Sequence, residues 1–231
     1  KKLGENVNTR YHESTSVITK DGQTMYFTRN NSEKRKTVKD DKGIVRLKIL
    51  RAVLTDEGIW GEVEELPFNN NSYSVANPAL SPDEKTLYFV SDMPGTFGES
   101  DLFKVSINVD RSFGTPENLG SNINTEARET FPYITSEEIL YFSSDGHPGL
   151  GGLDVFATKI KRQDFTGKVL NVGKPVNSNS DDFTFIFDEE LRTGYVASNR
   201  EEGLGYDDIY SFTETRPLEF DCNQKITGTV R

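Results

Sequence analysis

Cysteine is almost missing from this chain. Cys222 is the only one, so no internal disulfide can form. With two histidines, His12 and His147, the chain also falls short of the four Cys/His ligands that structural zinc wants. Few histidines leave little material for a Ser-His-Asp triad. No stretch approaches the ~20 apolar residues of a membrane span, so no transmembrane segment is expected here. Leu-rich helical patterning is missing throughout. Positive charge is scarce as well: 27 Lys and Arg face 37 Asp and Glu, a net charge of −10. Nucleic-acid partners are excluded by that balance, because phosphate neutralisation needs a basic face. No secretory leader is visible, and Lys1 reads as a cut edge, so targeting signals do not reveal localisation.

What the 231 residues do contain is aromatic side chains, 11% of the total, within an apolar fraction of only 34%. That mixture fits a thin-layered β protein with a core of Tyr and Phe. The same phrase recurs four times, as Met25-Tyr26-Phe27, Leu87-Tyr88-Phe89, Leu140-Tyr141-Phe142 and Gly194-Tyr195-Val196, with tyrosine spacings of 62, 53 and 54. A period near 50 residues with several short strands per period predicts a β-propeller. Unit three reads most clearly, with strands at Glu129–Ile134, Ile139–Ser143, Leu153–Ala157 and Lys168–Val172. Each has the length and the β-branched or aromatic content of a strand.

Other positions repeat at fixed offsets from the tyrosine. Asp101, Asp154 and Asp208 lie 13 residues on, Asp92 and Asp145 lie four on with Asn199, and Gly98, Gly151 and Gly205 lie ten on. Two carboxylates flanking a Gly-rich loop suggest either calcium ligation or carboxylates that accept turn amides. Recurrence in successive units favours the structural role, and no segment matches the calcium-hand loop. We expect no metal and no cofactor. The glycines open no helix after a strand, so they form no nucleotide fingerprint.

Unit one breaks the pattern with extra residues around Asn31 to Lys42, which predict a long surface loop. It carries Lys34, Arg35, Lys36, Lys39 and Lys42, interrupted by Asp40 and Asp41. This is the candidate partner loop. His12, Glu13, Glu129 and Asp182 begin inner strands at comparable places, which predicts an acidic mouth to the central channel. A carboxylate pair for glycan hydrolysis needs a defined separation, and nothing in the spacing selects one.

The chain ends suggest how a ring could close. Leu3–Thr9 resembles Leu119–Thr125, the end of an outer strand and the linker into the next unit. Unit four has no outer strand after Phe212, and an open edge is a liability. The expectation is an all-β propeller of four blades, each of four antiparallel strands, spanning residues 1–212, with the opening segment completing the last blade. The rival is a larger propeller whose first blades lie upstream. Residues 213–231 read as a linker, followed by a new alternating strand at Lys225–Val230.

The run Asn77-Pro78-Ala79-Leu80-Ser81-Pro82-Asp83 leads into Leu87-Tyr88-Phe89-Val90-Ser91-Asp92. It resembles the PD40 (TolB-type) propeller repeat. Together with Ser100–Phe103 and Gly152–Phe156 the chain is similar to the propeller region of Bacteroidetes OmpA-family envelope proteins, a group that includes the PorE-like component of type IX secretion. The resemblance implies a periplasmic, outer-membrane-associated protein. It also implies envelope-protein partners, and peptidoglycan held by a domain outside this chain. The expected role is a non-enzymatic interaction scaffold. The alternatives are a glycan- or small-ligand-binding propeller and a glycan hydrolase or lyase.

Overall fold

The computed structural model describes residues 3–33, 36–160, 168–201 and 203–220. Among them the regular elements are all strands, arranged as four successive antiparallel blades. Blade one runs from inner to outer as β1 (Glu13–Ile18), β2 (Thr24–Asn30), β5 (Leu47–Leu54) and β6 (Trp60–Glu65). Between β2 and β5 lies a small two-stranded hairpin, β3 (Ser32–Glu33) with β4 (Lys36–Thr37). Blade two is β7 (Val75–Leu80), β8 (Thr86–Ser91), β9 (Asp101–Ser106) and β10 (Glu117–Asn118). Blade three is β11 (Glu129–Ile134), β12 (Ile139–Ser144), β13 (Asp154–Lys159) and β14 (Leu170–Asn171). Blade four is β15 (Asp182–Asp188), β16 (Thr193–Ser198) and β17 (Asp208–Thr213).

The repeated tyrosine marks the face that each blade turns toward its successor. Tyr26 and Ile49 pack against Leu87, Phe89 and Phe103 of blade two. Tyr88 and Leu102 pack against Leu140, Phe142 and Phe156 of blade three. Tyr141 and Val155 pack against Phe185, Phe187 and Val196 of blade four. Alternation along a strand sends one set of side chains into each seam, which is why neighbouring Tyr and Phe are both buried. Burying each such side chain contributes roughly 1.5–3 kcal/mol.

One polar device is repeated at all three seams. The Asn69 amide brackets Ile49, accepting from its N–H (3.1 Å) and donating to its carbonyl (2.7 Å). Asn124 does the same to Leu102 (2.9 and 3.0 Å), and Asn177 to Val155 (2.8 and 2.9 Å). Each bracket ties the linker of the next blade to the third strand of the preceding one. Each bracketed carbonyl also accepts a linker N–H, from Leu66, Leu119 or Val172, so the group the amide chiefly rescues is the bracketed N–H, whose burial without a partner would be costly.

Closure by the opening segment, expected from the sequence, is not what the structure contains. Blade four has three strands, and among the described residues no strand pairs with the far side of β17. Residues 3–9 lie against blade one instead. Val7 is buried with Met25, Phe27, Leu50, Ala52 and Trp60. Asn6 donates to the Trp60 and Gly61 carbonyls, and Arg29 donates to the carbonyls of Asn6 and Val7. The physical reason is local: the segment precedes blade one, whose apolar face and Arg29 are within immediate reach. Inner strands touch in the order β1, β7, β11, β15, with no comparable contact from β15 back to β1.

Residues after β17 are not a free linker at first, because Leu218 and Phe220 pack into the seam between blades three and four. The strand expected at Lys225–Val230 lies outside the described residues.

Candidate functional site

The insertion in blade one is a braced hairpin rather than a slack loop. Asn31 is buried; its N–H donates to the Arg46 carbonyl (2.8 Å) and its side-chain amide to Asn71 (2.9 Å). Arg46 links the hairpin to blade two, donating to Asp40 (2.7 Å) and to Asp92 (2.5 Å). The N–H of Ile44, with help from Arg46, holds the Asp40 carboxyl below the usual carboxylate range. Lys36, Lys39 and Lys42 stand exposed on this base; Lys34 and Arg35 lie outside the described residues. Asn31 therefore anchors the loop, which exposes three lysines on an acidic molecule.

The inner strands surround a cavity of about 360 Å³. All four carry a β-bulge at the same level, between Ser14 and Ser16, Ala76 and Ala79, Thr130 and Tyr133, and Phe183 and Ile186. Three bulge residues sit at positive φ: Asn77 (53°), Phe131 (49°) and Thr184 (53°). Left-handed backbone is costly for Phe and Thr, so packing must hold it. On one side Asn77 donates to Thr15 Oγ1 (2.9 Å), and its N–H donates to Thr28 Oγ1 (2.9 Å). On the other side Phe131 stacks on Phe183, centroids 5.4 Å apart. The cavity lining thus combines the polar Thr15 and Asn77 with the aromatic Phe131, Tyr133 and Phe185.

The four residues expected at an acidic mouth do not line this cavity. Glu129 is fully buried, accepting from Thr125 N–H (2.8 Å), Thr125 Oγ1 (2.7 Å) and Ser144 Oγ (2.7 Å). Asp182, equally buried, accepts from Ser178 N–H (2.5 Å) and from Arg200 (2.5 Å). Glu13 accepts from Thr9 Oγ1 (2.6 Å) and Arg29 (3.0 Å). Each carboxylate caps the turn that starts its blade, through a Ser or Thr four residues earlier. Thr9/Glu13, Thr125/Glu129 and Ser178/Asp182 are a repeated spacing from which the role could have been read. His12 is exposed. His147 is half-buried beside Phe156 (5.2 Å), with Nε2 2.7 Å from the Ile123 carbonyl.

Of the repeated aspartates, Asp101, Asp154 and Asp208 open β9, β13 and β17 and close the turns before them. Asp101 accepts from the N–H groups of Phe97 (2.8 Å) and Gly98 (3.3 Å), Asp154 from Leu150 (2.7 Å) and Gly151 (3.0 Å), and Asp208 from Gly205 (2.9 Å). Asp92 accepts from Ser74 N–H (2.5 Å), and Asp145 from Arg128 N–H (2.8 Å) and its guanidinium. A side chain on Gly98 would strike the Ala127 carbonyl, and one on Gly151 that of Ser180. These turns therefore press on the following blade's backbone, which only glycine permits. Among the described residues, no group of three or more His, Cys, Asp or Glu is placed to hold a metal ion, and no helix is long and apolar enough to cross a membrane.

No family profile matches this sequence, and no curated protein is significantly similar to it. Solved structures do match in shape. A protein assigned as TolB from Agrobacterium tumefaciens superposes with a TM-score of 0.52 at 11% identity, over 89% of this chain and 78% of that one. An α-L-arabinofuranosidase from Lactobacillus brevis gives 0.50 at 13%, over 88% and 75%. A puromycin hydrolase gives 0.51 at 11%, over 81% of this chain but 25% of that one. The chain thus spans about a quarter of that hydrolase's length. At such identities the likeness is one of fold: this chain is built as a β-propeller of the kind found in TolB and in propeller-bearing hydrolases.

Proposed function

We propose that the chain is a non-enzymatic protein-interaction propeller whose contact site is the cationic hairpin of blade one. The observation that carries this is the hairpin itself: an insertion with no counterpart in the other described blades, rigidly braced by Asn31, Asp40 and Arg46, presenting Lys36, Lys39 and Lys42 outward. Loops on a rigid scaffold are where binding evolves most freely. Its chemistry suits an acidic protein surface. The finer setting follows from the PD40-like phrases: the periplasm at the outer membrane, within a peptidoglycan-anchored OmpA-family protein linked to type IX secretion.

Removing residues 31–42 outright would also remove Asn31 and the Arg46–Asp40 pair, so charge reversal is the cleaner test. The Lys36→Glu/Lys39→Glu/Lys42→Glu variant should melt like the parent and lose envelope-protein capture in a pull-down from the source organism's envelope fraction. Capture equal to the parent's would sink the proposal. A second reading, a small-ligand or glycan site in the central cavity, is favoured by a lining that combines the aromatic Phe131, Tyr133 and Phe185 with the polar Thr15 and Asn77. Binding on a carbohydrate array that Phe131→Ala abolishes would replace the first reading with this one.

A further inference from the structure

The structure contains both halves of a fourth seam, and they do not meet. Strand register makes Ile209 the counterpart of Ile49, Leu102 and Val155: each lies two residues before the partner of the repeated tyrosine. The first three are fully buried, whereas Ile209 is 76% exposed. Tyr26, Tyr88 and Tyr141 are 3–4% exposed, whereas Tyr195 is 52% exposed. Ile186 lies open on the same sheet, opposite Tyr195. Blade four thus presents a bare copy of the face that the other blades bury.

The complementary half is at the other end of the chain. At the second and third seams a linker residue donates its N–H to the bracketed strand, Leu119 to Leu102 (3.0 Å) and Val172 to Val155 (3.0 Å), and the asparagine five residues later makes the bracket. Leu3 and Asn8 have that spacing and that context. Val7, the counterpart of the buried Ile123, is already seated on blade one. Leu3 is 42% exposed and Asn8 is exposed. The linker is therefore prefolded, with its bracketing side chain pointing to no strand among the described residues.

We infer that a second copy of this chain supplies the missing partner: residues 3–8 of one protomer seat on β17 of the next, with Asn8 bracketing Ile209. The contact joins two different patches, so it is heterologous, and it propagates into rings or open chains. It also covers the exposed edge of β17, an edge that otherwise invites indiscriminate pairing. The inference is independent of the lysine hairpin and its partner.

The test uses the full 231-residue chain in a Cys222→Ser background. Asn8→Cys and Ile209→Cys single variants are mixed and treated with a short bis-maleimide. The mixture should give a cross-linked dimer well above that from either variant alone. Sedimentation of the parent should show mass rising with concentration, and Ile209→Asp should weaken association at least about tenfold, or 1.4 kcal/mol. Both sites are exposed, and circular dichroism of each variant checks that it folds. A parent that stays monomeric or a mixture no better than its components would each overturn the inference.

Discussion

The asparagine brackets make a sharp claim about stability, because one motif occurs in engaged and unengaged forms in the same chain. Consider Asn124→Ala. Asn124 and Leu102 are both buried, 2% and 0% exposed. The substitution strips the Leu102 N–H of its partner at 2.9 Å. The Leu102 carbonyl keeps the Leu119 N–H at 3.0 Å, and Asn118 Oδ1 keeps the Gly120 N–H at 2.8 Å. One buried donor is thus orphaned, costing about 1–3 kcal/mol, and two further hydrogen bonds worth roughly 1 kcal/mol each are lost, though their acceptors keep other donors. The expected loss is about 3 kcal/mol, or a fall in Tm of roughly 6–12 °C for a chain of this size. Urea denaturation and calorimetry both read it. Asn8→Ala is the internal control. Under dilute conditions, where copies are apart, it should change stability by less than about 0.5 kcal/mol, as exposed substitutions do. If Asn124→Ala were as mild as Asn8→Ala, or Asn8→Ala as severe as Asn124→Ala, the assignment of engaged and unengaged seams would be wrong.

The tyrosines give a parallel contrast. Tyr141→Ala should cost about 3–5 kcal/mol, as large-to-small core changes do, and Tyr195→Ala less than about 0.5 kcal/mol in the same denaturation series. Alkaline pH should unfold the chain through the seams. Burial pushes the Tyr88 and Tyr141 hydroxyls up to about 12. An unfolded tyrosine releases its proton near pH 10 while the folded one holds it. The unfolded state then binds fewer protons, and stability falls between pH 10 and 12 by about 1.4 kcal/mol per pH unit for each tyrosine. Tyr88→Phe and Tyr141→Phe should flatten that slope when melts are compared at pH 9 and 11; an unchanged slope would refute the cause.

Sequence alone was enough for the repeat, the blade count within the chain and the inner and middle strands of unit three. Those are set by local alternation and by the Tyr-Phe phrase, and both are visible without coordinates. The Ser/Thr-to-carboxylate spacing was equally visible, yet it reads as an acidic mouth until one knows that each pair folds back on its own turn. Three things belonged to the tertiary structure. Burial of Tyr26, Tyr88 and Tyr141 but not Tyr195 depends on which blades pack on which faces among the described residues, which no residue within a blade encodes. The bracing of the hairpin needs Arg46 to meet Asp92, 46 residues away. The place of residues 3–9 was the sharpest difference: their likeness to Leu119–Thr125 gave them a linker's identity, but a linker contacts two blades. Which of the two it holds is decided by proximity to Met25, Phe27 and Trp60, a matter of chain geometry and not of pattern.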